Sequence, residues 1–466
     1  MAKVCVFYHT IPLCDAAESN VSTLKIVAYM ILNRITDLFS VSSRLPLAIL
    51  LMVLLSLPGC AHMQAFMAKS LPMSAYPDDA IDRNDFAIAK DDDVVGRLAL
   101  IRLEKGDTLP DIARHFSLGI NTVSSANPGV DIWVPDTWER IVLPMSFILP
   151  DAQRKGIVIN LATMRLFYFK RKGDLLAVST YPVGVGTEER PSPMGKMVVI
   201  RKKHLPTWYV PASIAADHRK KGDPLPSYVP PGPLNPLGEY ALYLSEAGYL
   251  IHGTNKPASI GLRATNGCIR LYPEDIARLF KKAAVRTPVH IVNQPYLVGQ
   301  RDGIVYLEAH TPFEESGIAN WKKIYAKLQR IEKQSGRPLD WKRVKEVVLE
   351  ARGYPVPVSA ILDGREMTVA DAINIRHPDR LYGQPEIPEF KMDAWYVLAA
   401  SLRDKTDAQK LAAIINHQGP PIPARVLSKD GRHRVLAGPF DDQGAAEDAA
   451  NRLKIDLELD AVLFET

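Results

Sequence analysis

The chain has 466 residues, of which 47% are hydrophobic and 23% are charged. This length exceeds what a single hydrophobic core supports, and the ordinary composition excludes a wholly disordered chain. The 57 basic and 52 acidic residues leave a net charge of +5, which is too small an excess to indicate nucleic-acid binding. We therefore expect a multidomain α+β protein with no nucleic-acid partner.

Residues 1–60 predict an upstream extension followed by an export signal. Arg34 and Arg44 precede the uncharged run 45–57, and Cys60 ends the sequence LPGC. A basic segment, a short apolar run and a small residue before the cut are typical of a signal peptide, and the run is shorter than the roughly 20 residues that span a bilayer. The ending resembles a bacterial lipoprotein box, which implies lipidation of Cys60 and an outer-membrane anchor. Cleavage without lipid is the alternative.

The placement of the cysteines singles out Cys268. Cys5 and Cys14 lie upstream of the expected cut and Cys60 lies at it, so Cys268 is the only unmodified thiol expected in the mature chain. An unpaired cysteine in an oxidising compartment is typical of a reactive thiol. An inert buried cysteine is the alternative.

The segment after the expected cut divides into a tether and a small module. Residues 61–96 lack clear periodicity and predict a tether, whereas 97–145 predict a β-α-α-β order built from LALIRL, TLPDIARHF, NTVSSAN and RIVLP. The motifs KGDTLPDIA and ANPG resemble the LysM module, which implies binding to the glycan strands of peptidoglycan. A purely structural packing role is the alternative.

Residues 155–293 predict a β-rich domain with one helix. The sequence GIVINLATMRLFYFK alternates around a turn at 162–164, as a hairpin does. Proline and glycine crowd 182–195 and 222–238, which marks loops. The first helix is expected only at LYPEDIARLFKKA, where Pro273 suits the first turn.

A histidine and the unpaired cysteine suggest a catalytic site in this domain. His252 follows the predicted strand YLI, and Cys268 follows Gly267, which permits close backbone approach. A cysteine nucleophile needs a base and oxyanion donors, and we expect the amides of Gly267 and Cys268 to face the oxyanion. Arg270 shares a face with Cys268 on an extended segment, which suits a substrate carboxylate. By spacing alone, an acyl-transfer site and two unrelated loop residues remain equally open.

Two other uses of the thiol lack the residues that they need. A redox-active thiol requires a neighbouring resolving cysteine, and a zinc site requires further Cys or His residues close by in sequence. Neither stands near Cys268. We therefore expect no metal and no cofactor.

The motifs HGT, SIG and TNGCIRLYPEDIARLF, with RPSPMGK and PTWYVP upstream, resemble the L,D-transpeptidase (YkuD) family. The resemblance implies roles for seven residues: Cys268 as nucleophile, His252 as general base, Gly253 as its support, Thr265 and Gly267 around the oxyanion, Arg270 on substrate, and Asn266 where many relatives have histidine. It implies attack on the diaminopimelate carbonyl of a tetrapeptide stem, release of D-alanine and transfer to an amine of another stem or of a lipoprotein. Water as acceptor would make the chain an L,D-carboxypeptidase or crosslink hydrolase.

The last third of the chain predicts a helical spacer at 312–380, a linker at 381–392 and a repeat module at 393–466. The β-α-β repeat predicts a four-stranded antiparallel sheet backed by two helices, a ferredoxin-like arrangement. RVLAGPF with AAEDAANRL resembles the SPOR domain, which implies glycan binding through the sheet, with Tyr396 and Arg434 as candidates. A module of the same architecture with another ligand is the alternative.

The domain order predicts an enzyme of the bacterial cell envelope, acting in the periplasm on peptidoglycan stem peptides. Both flanking modules are expected to act as tethers that raise the local concentration of glycan. The alternative from another class is a catalytically quiet wall-binding protein. A papain-type peptidase is disfavoured because that family's motif around its cysteine is absent.

Overall fold

The computed structural model describes residues 81–466 apart from 82, 90–91, 174, 221, 314–315 and 360–371. The expected export signal, Cys60 and most of the expected tether lie outside the described residues. Ile81–Ile373 and His377–Thr466 belong to one compact unit. Among the helices of the described residues, none combines the length and apolar character needed to cross a membrane.

The N-terminal region contains five strands and two short helices: β1 (Asp85–Ile88), β2 (Val94–Gly96), β3 (Ala99–Arg102), α1 (Leu109–His115), α2 (Ile120–Ala126), β4 (Arg140–Leu143) and β5 (Ser146–Ile148). β3 and β4 pair antiparallel, so the expected β-α-α-β order is present. Thr108 caps α1 by accepting a hydrogen bond from the amide of Asp111. Leu109, Ile112 and Phe116 are buried, as the helical spacing predicts. Glycan binding by this module stays a prediction.

The central domain comprises twelve strands and two helices: β6 (Gly156–Asn160), β7 (Arg165–Lys172), β8 (Leu175–Pro182), β9 (Val185–Gly186), β10 (Gly195–His204), β11 (Trp208–Tyr209), α3 (Ala212–Lys220), β12 (Tyr228–Val229), β13 (Tyr240–Leu244), β14 (Leu250–His252), β15 (Arg263–Thr265), β16 (Ile269–Arg270), α4 (Pro273–Lys282) and β17 (Pro288–Val292). Its main sheet runs in the order β1-β8-β7-β6-β17-β10-β13-β14-β16. β14 and β16 therefore lie together at one edge, with His252 on β14, Arg270 on β16 and Cys268 directly before β16.

The helix expected after Cys268 is present as α4 and packs on the main sheet. Ile276 and Leu279 are buried in a core shared with Ile157, Leu242 and Ile251. Full burial of such a side chain contributes about 1.5–3 kcal/mol. This packing holds the segment that contains β16 against the rest of the domain.

Two features at the margins of the central domain depart from the sequence expectations. β1 pairs with β8 and β2 pairs with β5, so part of the 61–96 segment is strand rather than tether. Phe86 and Ile88 are buried and alternate with exposed neighbours, a pattern too short to stand out in the sequence. Helix α3 is also unexpected, and the reason is that none of its residues is buried, so it has no apolar face to detect.

The expected helical spacer is an α/β unit that starts earlier than 312: β18 (Tyr296–Arg301), β19 (Ile304–Ala309), α5 (Ser316–Ser335), α6 (Trp341–Glu350) and β20 (Val356–Pro357). Both expected helices are present, but they pack on a three-stranded sheet through Trp321, Leu328 and Val344. Asp302 and Gly303 have positive φ and join β18 to β19 in a two-residue turn. An Asp-Gly pair between apolar runs is a hairpin signal that was available in the sequence.

After the short strand β21 (Ile373–Asn374), the C-terminal module consists of β22 (Trp395–Leu402), α7 (Lys405–Asn416), β23 (Ala424–Lys429), β24 (Arg432–Phe440), α8 (Gln443–Leu457) and β25 (Val462–Glu465). Its sheet has the order β23-β24-β22-β25, and every pair is antiparallel. Asp404 and Asp442 cap α7 and α8 at equivalent places of the two halves. The four-stranded antiparallel sheet with two helices agrees with the repeat.

Candidate active site

His252, Cys268 and Arg270 meet at the edge of the main sheet. β14 and β16 are parallel neighbours in which His252 lies opposite Arg270. Residues opposite each other on adjacent strands project from the same face, and so does a residue two positions along an extended segment. The amide of Leu271, just after β16, donates to the His252 carbonyl at 2.9 Å, which extends the pairing. His252 and Arg270 therefore share one face, and Cys268 lies two residues before Arg270, whose charge acts on the thiol. A shared face for Cys268 and Arg270 stays a prediction.

The hydrogen bond of the His252 ring to Gly253 fixes which nitrogen carries the proton. Nδ1 lies 2.6 Å from the Gly253 carbonyl oxygen, which can only accept, so Nδ1 carries the proton. The pKa of His252 is lowered to about 3, mainly by burial and also by the charge of Arg270, while hydrogen bonds to Gly253 and Leu237 act in the opposite direction. The ring is neutral at physiological pH, and its Nε2 lone pair is available as a base.

The Cys268 thiol is half-buried, and the sulfur lies 3.6 Å from the Gly248 carbonyl oxygen. Within the described residues, no hydrogen bond joins the sulfur to the His252 ring. Burial raises the pKa of the thiol, while a backbone hydrogen bond at Leu250 and the charge of Arg270 lower it. The resting thiol is therefore protonated, and a base is needed to form the thiolate.

Arg270 is held by both its backbone and its side chain. Its amide and carbonyl pair with Gly184 at 2.9 and 2.8 Å, and its Nη1 donates to the Ser259 hydroxyl at 2.9 Å. Burial lowers the pKa of Arg270 to about 10, and the neighbouring Cys268 raises it. The Arg270 Nε is buried without a hydrogen-bond partner among the described residues. The guanidinium is charged and has donor capacity for an anionic group.

The turn before the cysteine requires glycine and is closed by threonine. Gly267 has φ +98°, and a Cβ there would lie 2.7 Å from a ring carbon of Tyr249. Thr265 is buried, and its hydroxyl donates to the Cys268 carbonyl at 2.7 Å while accepting from the Gly267 amide at 3.2 Å. The Gly267 amide is therefore engaged in a hydrogen bond within the turn in this conformation. The expectation that it faces an oxyanion is not met here.

Asn266 makes a side-chain hydrogen bond to a neighbouring loop, whereas Gly253 is closely packed. Asn266 accepts a hydrogen bond from Arg190, which also pairs with Asp217 of α3. Gly253 is tightly enclosed, since a Cβ there would lie 3.2 Å from Ile276 and 3.3 Å from the Leu237 carbonyl oxygen. The neighbourhood of the histidine thus admits no side chain at this position without displacement.

The structure adds Ser259 and Arg190 to the residues identified from the sequence. Ser259 lies in SIG and binds Arg270, and Arg190 lies in the proline-rich loop and binds Asn266. Loop spacing carries no periodic signal, so these contacts follow only from the fold. Among the described residues, no group of three or more His, Cys, Asp and Glu is arranged to hold a metal ion.

Comparison with known proteins places this geometry in a family. Residues 154–291 match the L,D-transpeptidase catalytic domain (YkuD), and residues 391–464 match the SPOR domain. A protein of Salmonella typhimurium named "Probable L,D-transpeptidase ErfK/SrfK" is 36% identical over 275 residues, which cover 57% of this chain and 88% of that protein. The chain belongs to the L,D-transpeptidase family.

Other members of the L,D-transpeptidase family show similar relations to the chain. "Probable L,D-transpeptidase YbiS" of Escherichia coli K12 is 36% identical over 271 residues, covering 56% of this chain and 88% of that protein. The solved catalytic domain of an E. faecium L,D-transpeptidase is 20% identical, with a TM-score of 0.23, and the match covers 30% of this chain and 99% of that one. The two matched domains agree with the expected segments 155–293 and 393–466.

The two glycan-binding candidates of the SPOR domain differ in exposure. Arg434 is exposed on β24. Tyr396 is fully buried, because its ring stacks on Phe390 at 4.9 Å and on Phe464 at 6.0 Å, and its hydroxyl bonds to the backbone of Lys391. The linker before the domain thus covers Tyr396. In this conformation Tyr396 offers no surface to a glycan, which contradicts its selection as a contact residue.

Proposed function

We propose that the chain is an exported peptidoglycan L,D-transpeptidase whose nucleophile is Cys268. The observation that carries the proposal is the pairing of β14 with β16, which sets His252 opposite Arg270, together with the action of the Arg270 charge on the Cys268 thiol two residues earlier. Family membership supports the reaction class. The hydrogen bonding and charge of the three side chains support the individual roles.

In the proposed acylation, the Cys268 sulfur attacks the carbonyl carbon of diaminopimelate in a tetrapeptide stem. The thiol proton passes to Nε2 of His252, the nitrogen left free by the Gly253 contact. As the C–N bond breaks, that proton moves to the nitrogen of the departing D-alanine. A thioester on Cys268 remains, and every bond and proton is accounted for by these groups.

In the proposed second half, an amine attacks the thioester carbon and its proton passes through His252 Nε2 to the sulfur. The acyl group leaves on the amine, either of a second stem as a 3–3 crosslink or of a lysine on a lipoprotein. Arg270 is proposed to bind a substrate carboxylate, since its charge persists despite burial and one of its donors lacks a partner.

The location and the binding modules complete the proposal. The LysM-like module at 97–145 and the SPOR domain would bind glycan strands in the periplasm. Anchoring in the outer membrane through lipid on Cys60 rests on the lipoprotein-box resemblance alone.

Product analysis with a defined disaccharide-tetrapeptide tests the function. We expect the chain to release D-alanine and to carry a thioester on Cys268 that mass spectrometry detects. Cys268→Ala should lower D-alanine release at least about a thousandfold, because the nucleophile is lost, and should leave the fold and glycan retention unchanged.

The acceptor is identified by adding a second muropeptide or a lysine-ended lipoprotein peptide to the same assay. A crosslinked or conjugated product identifies the amine, and a free tripeptide alone would favour an L,D-carboxypeptidase. Retention on sacculi with no thioester and no D-alanine would contradict the proposal and favour a quiet wall-binding protein.

A further inference from the structure

One loop carries the contacts that orient both His252 and Arg270. It runs from Gly253 to Gly261, directly after β14. At its start the Gly253 carbonyl fixes the His252 ring, and near its end the Ser259 hydroxyl accepts from Arg270 at 2.9 Å. We call residues Gly253–Gly261 the clamp loop. A shift of this loop would move the proposed base and the proposed substrate-binding guanidinium together.

The clamp loop is stiffened by its own hydrogen bonds. The Lys256 amide donates to the Thr254 hydroxyl at 2.9 Å, and the Lys256 carbonyl accepts from the Ser259 hydroxyl at 2.6 Å and from the Ser259 amide at 3.1 Å. The Ser259 hydroxyl therefore links Lys256 to Arg270. A displacement applied at Lys256 reaches Arg270 through a single side chain.

The SPOR domain packs on the middle of the clamp loop. Gly419 approaches so closely that a Cβ there would lie 1.8 Å from the Asn255 carbonyl oxygen and 2.7 Å from the Lys256 Cα. Asp456 of α8 adds an ion pair with the Lys256 ammonium group at 3.3 Å. Because the Gly419 contact is with backbone, the loop cannot yield by a side-chain rotation.

The N-terminal module packs on the other end of the clamp loop. The Ile120 amide donates to the Ile260 carbonyl at 3.1 Å. A Cβ on Gly261 would lie 2.5 Å from the Ile120 nitrogen and 2.9 Å from the Gly119 carbonyl carbon. Both flanking modules therefore touch the loop, one at 255–256 and one at 260–261.

We propose that the two flanking modules position the clamp loop and so set the rate of acyl transfer, with Lys256 and Ser259 as positioning residues. This inference rests on the proposed function of the site. It differs from the expectation that the modules act only as tethers. A tether raises the local concentration of wall, whereas a module packed on the clamp loop also changes turnover of a small soluble donor.

The first test compares Gly419→Ala with Gly431→Asn in the full chain. Gly431 lies in the β23–β24 turn with no atom within 4 Å of an added Cβ, and Asn tolerates its positive φ, so this variant is the matched control. With a disaccharide-tetrapeptide donor, we expect Gly419→Ala to lower kcat/KM for D-alanine release about tenfold or more. Gly431→Asn should match the wild type, and equal activity of Gly419→Ala would overturn the inference.

The second test uses Ser259, for which a conservative rescue exists. Ser259→Ala removes the acceptor of Arg270, and we expect a higher KM for the donor with a smaller change in kcat. Ser259→Thr keeps the hydroxyl and should restore the wild-type KM. A KM that is unchanged in Ser259→Ala would overturn the role of Ser259.

A third measurement separates this inference from the proposed function. Iodoacetamide alkylation of Cys268 reports the thiol without any peptide substrate. Because the Arg270 charge lowers the pKa of the thiol, displacement of Arg270 in Gly419→Ala should move the alkylation midpoint to higher pH. An unchanged midpoint overturns the positioning role, whereas absence of D-alanine release by the wild type overturns only the proposed function.

Discussion

The Gly253 carbonyl sets the tautomer of the His252 ring, and burial sets its protonation state. The Gly253 contact assigns the proton to Nδ1, and burial keeps the ring neutral far below its ordinary pKa. A neutral imidazole beside a protonated thiol can take the sulfur's proton only during attack. In the proposed mechanism, His252 would therefore act as a general base on the thiol, and no thiolate–imidazolium pair would form in advance.

The pKa of His252 predicts the acid side of the pH–rate profile. With a folded pKa of about 3, the ring does not become protonated as the pH falls from 7 to 5, so kcat/KM for D-alanine release should be nearly constant over that range. Steady-state assays at several pH values check this. An inflection near pH 6.5, the ordinary value of histidine, would contradict it.

At the scale of the element, α4 places a buried carboxyl against the N-terminal module. Asp275 lies in the first turn of α4, is fully buried and accepts a hydrogen bond from the Ser117 hydroxyl at 3.1 Å. Burial raises the pKa of Asp275 to about 7, and Glu274 adds to the rise, against Arg278, Ser117 and Arg165, which lower it. The protonated acid is therefore the form that the fold favours.

The sign of this shift predicts how stability depends on pH. Between the unfolded value of 3.8 and about 7 the folded state binds more protons, so the contribution of Asp275 to stability falls as pH rises through that window. Asp275→Asn imitates the neutral acid. We expect it to raise the free energy of unfolding by roughly 4 kcal/mol at pH 8 and by less than half as much at pH 5. Thermal unfolding at the two pH values measures the difference.

The neighbouring carboxylate offers a matched control for Asp275→Asn. Glu274 forms a two-pronged pair with Arg114, with both contacts at 3.1 Å. Glu274→Gln breaks that pair and should lower the melting temperature at both pH values. A gain from Asp275→Asn that is equal at pH 5 and pH 8 would contradict the titration argument.

The sequence predicts those elements whose burial repeats along the chain. α4 shows the pattern clearly, since Ile276 and Leu279 share a buried face. α3 has no buried face and β1 has only two buried residues, so neither gives a periodic signal. At the site, residues close in sequence such as Cys268 and Arg270 could be placed. Ser259 and Arg190 could not, because their contacts depend on how loops return to the sheet.

At the scale of the whole molecule, the SPOR domain also packs on the N-terminal module. His417 at the end of α7 lies 3.1 Å from Asp111, and its ring is 5.3 Å from that of Trp133. The Lys410 ammonium group pairs with Asp131 at 2.5 Å. These contacts join two modules that lie far apart in sequence.

Truncation tests whether packing between the SPOR domain and the N-terminal module stabilises the protein. Removing residues 393–466 exposes Trp133 and leaves Asp111 and Asp131 without their partners in the SPOR domain. We expect the melting temperature of the remaining chain to fall by a few degrees, since about 1 kcal/mol moves a domain of this size by that amount. Calorimetry of the full and truncated chains measures it. An unchanged melting temperature would contradict the packing.

The glycine contacts around the clamp loop limit which modules can be combined in one chain. Gly119, Gly261 and Gly419 mark places where two backbones from different modules come so close that no side chain fits between them. A catalytic segment transplanted into another scaffold would need partners that leave the same gaps. Chimaeras made by exchanging whole modules between homologues should therefore be active only when all three modules have glycine at these positions. Chimaeras that lack one of these glycines should have low activity even when every module folds.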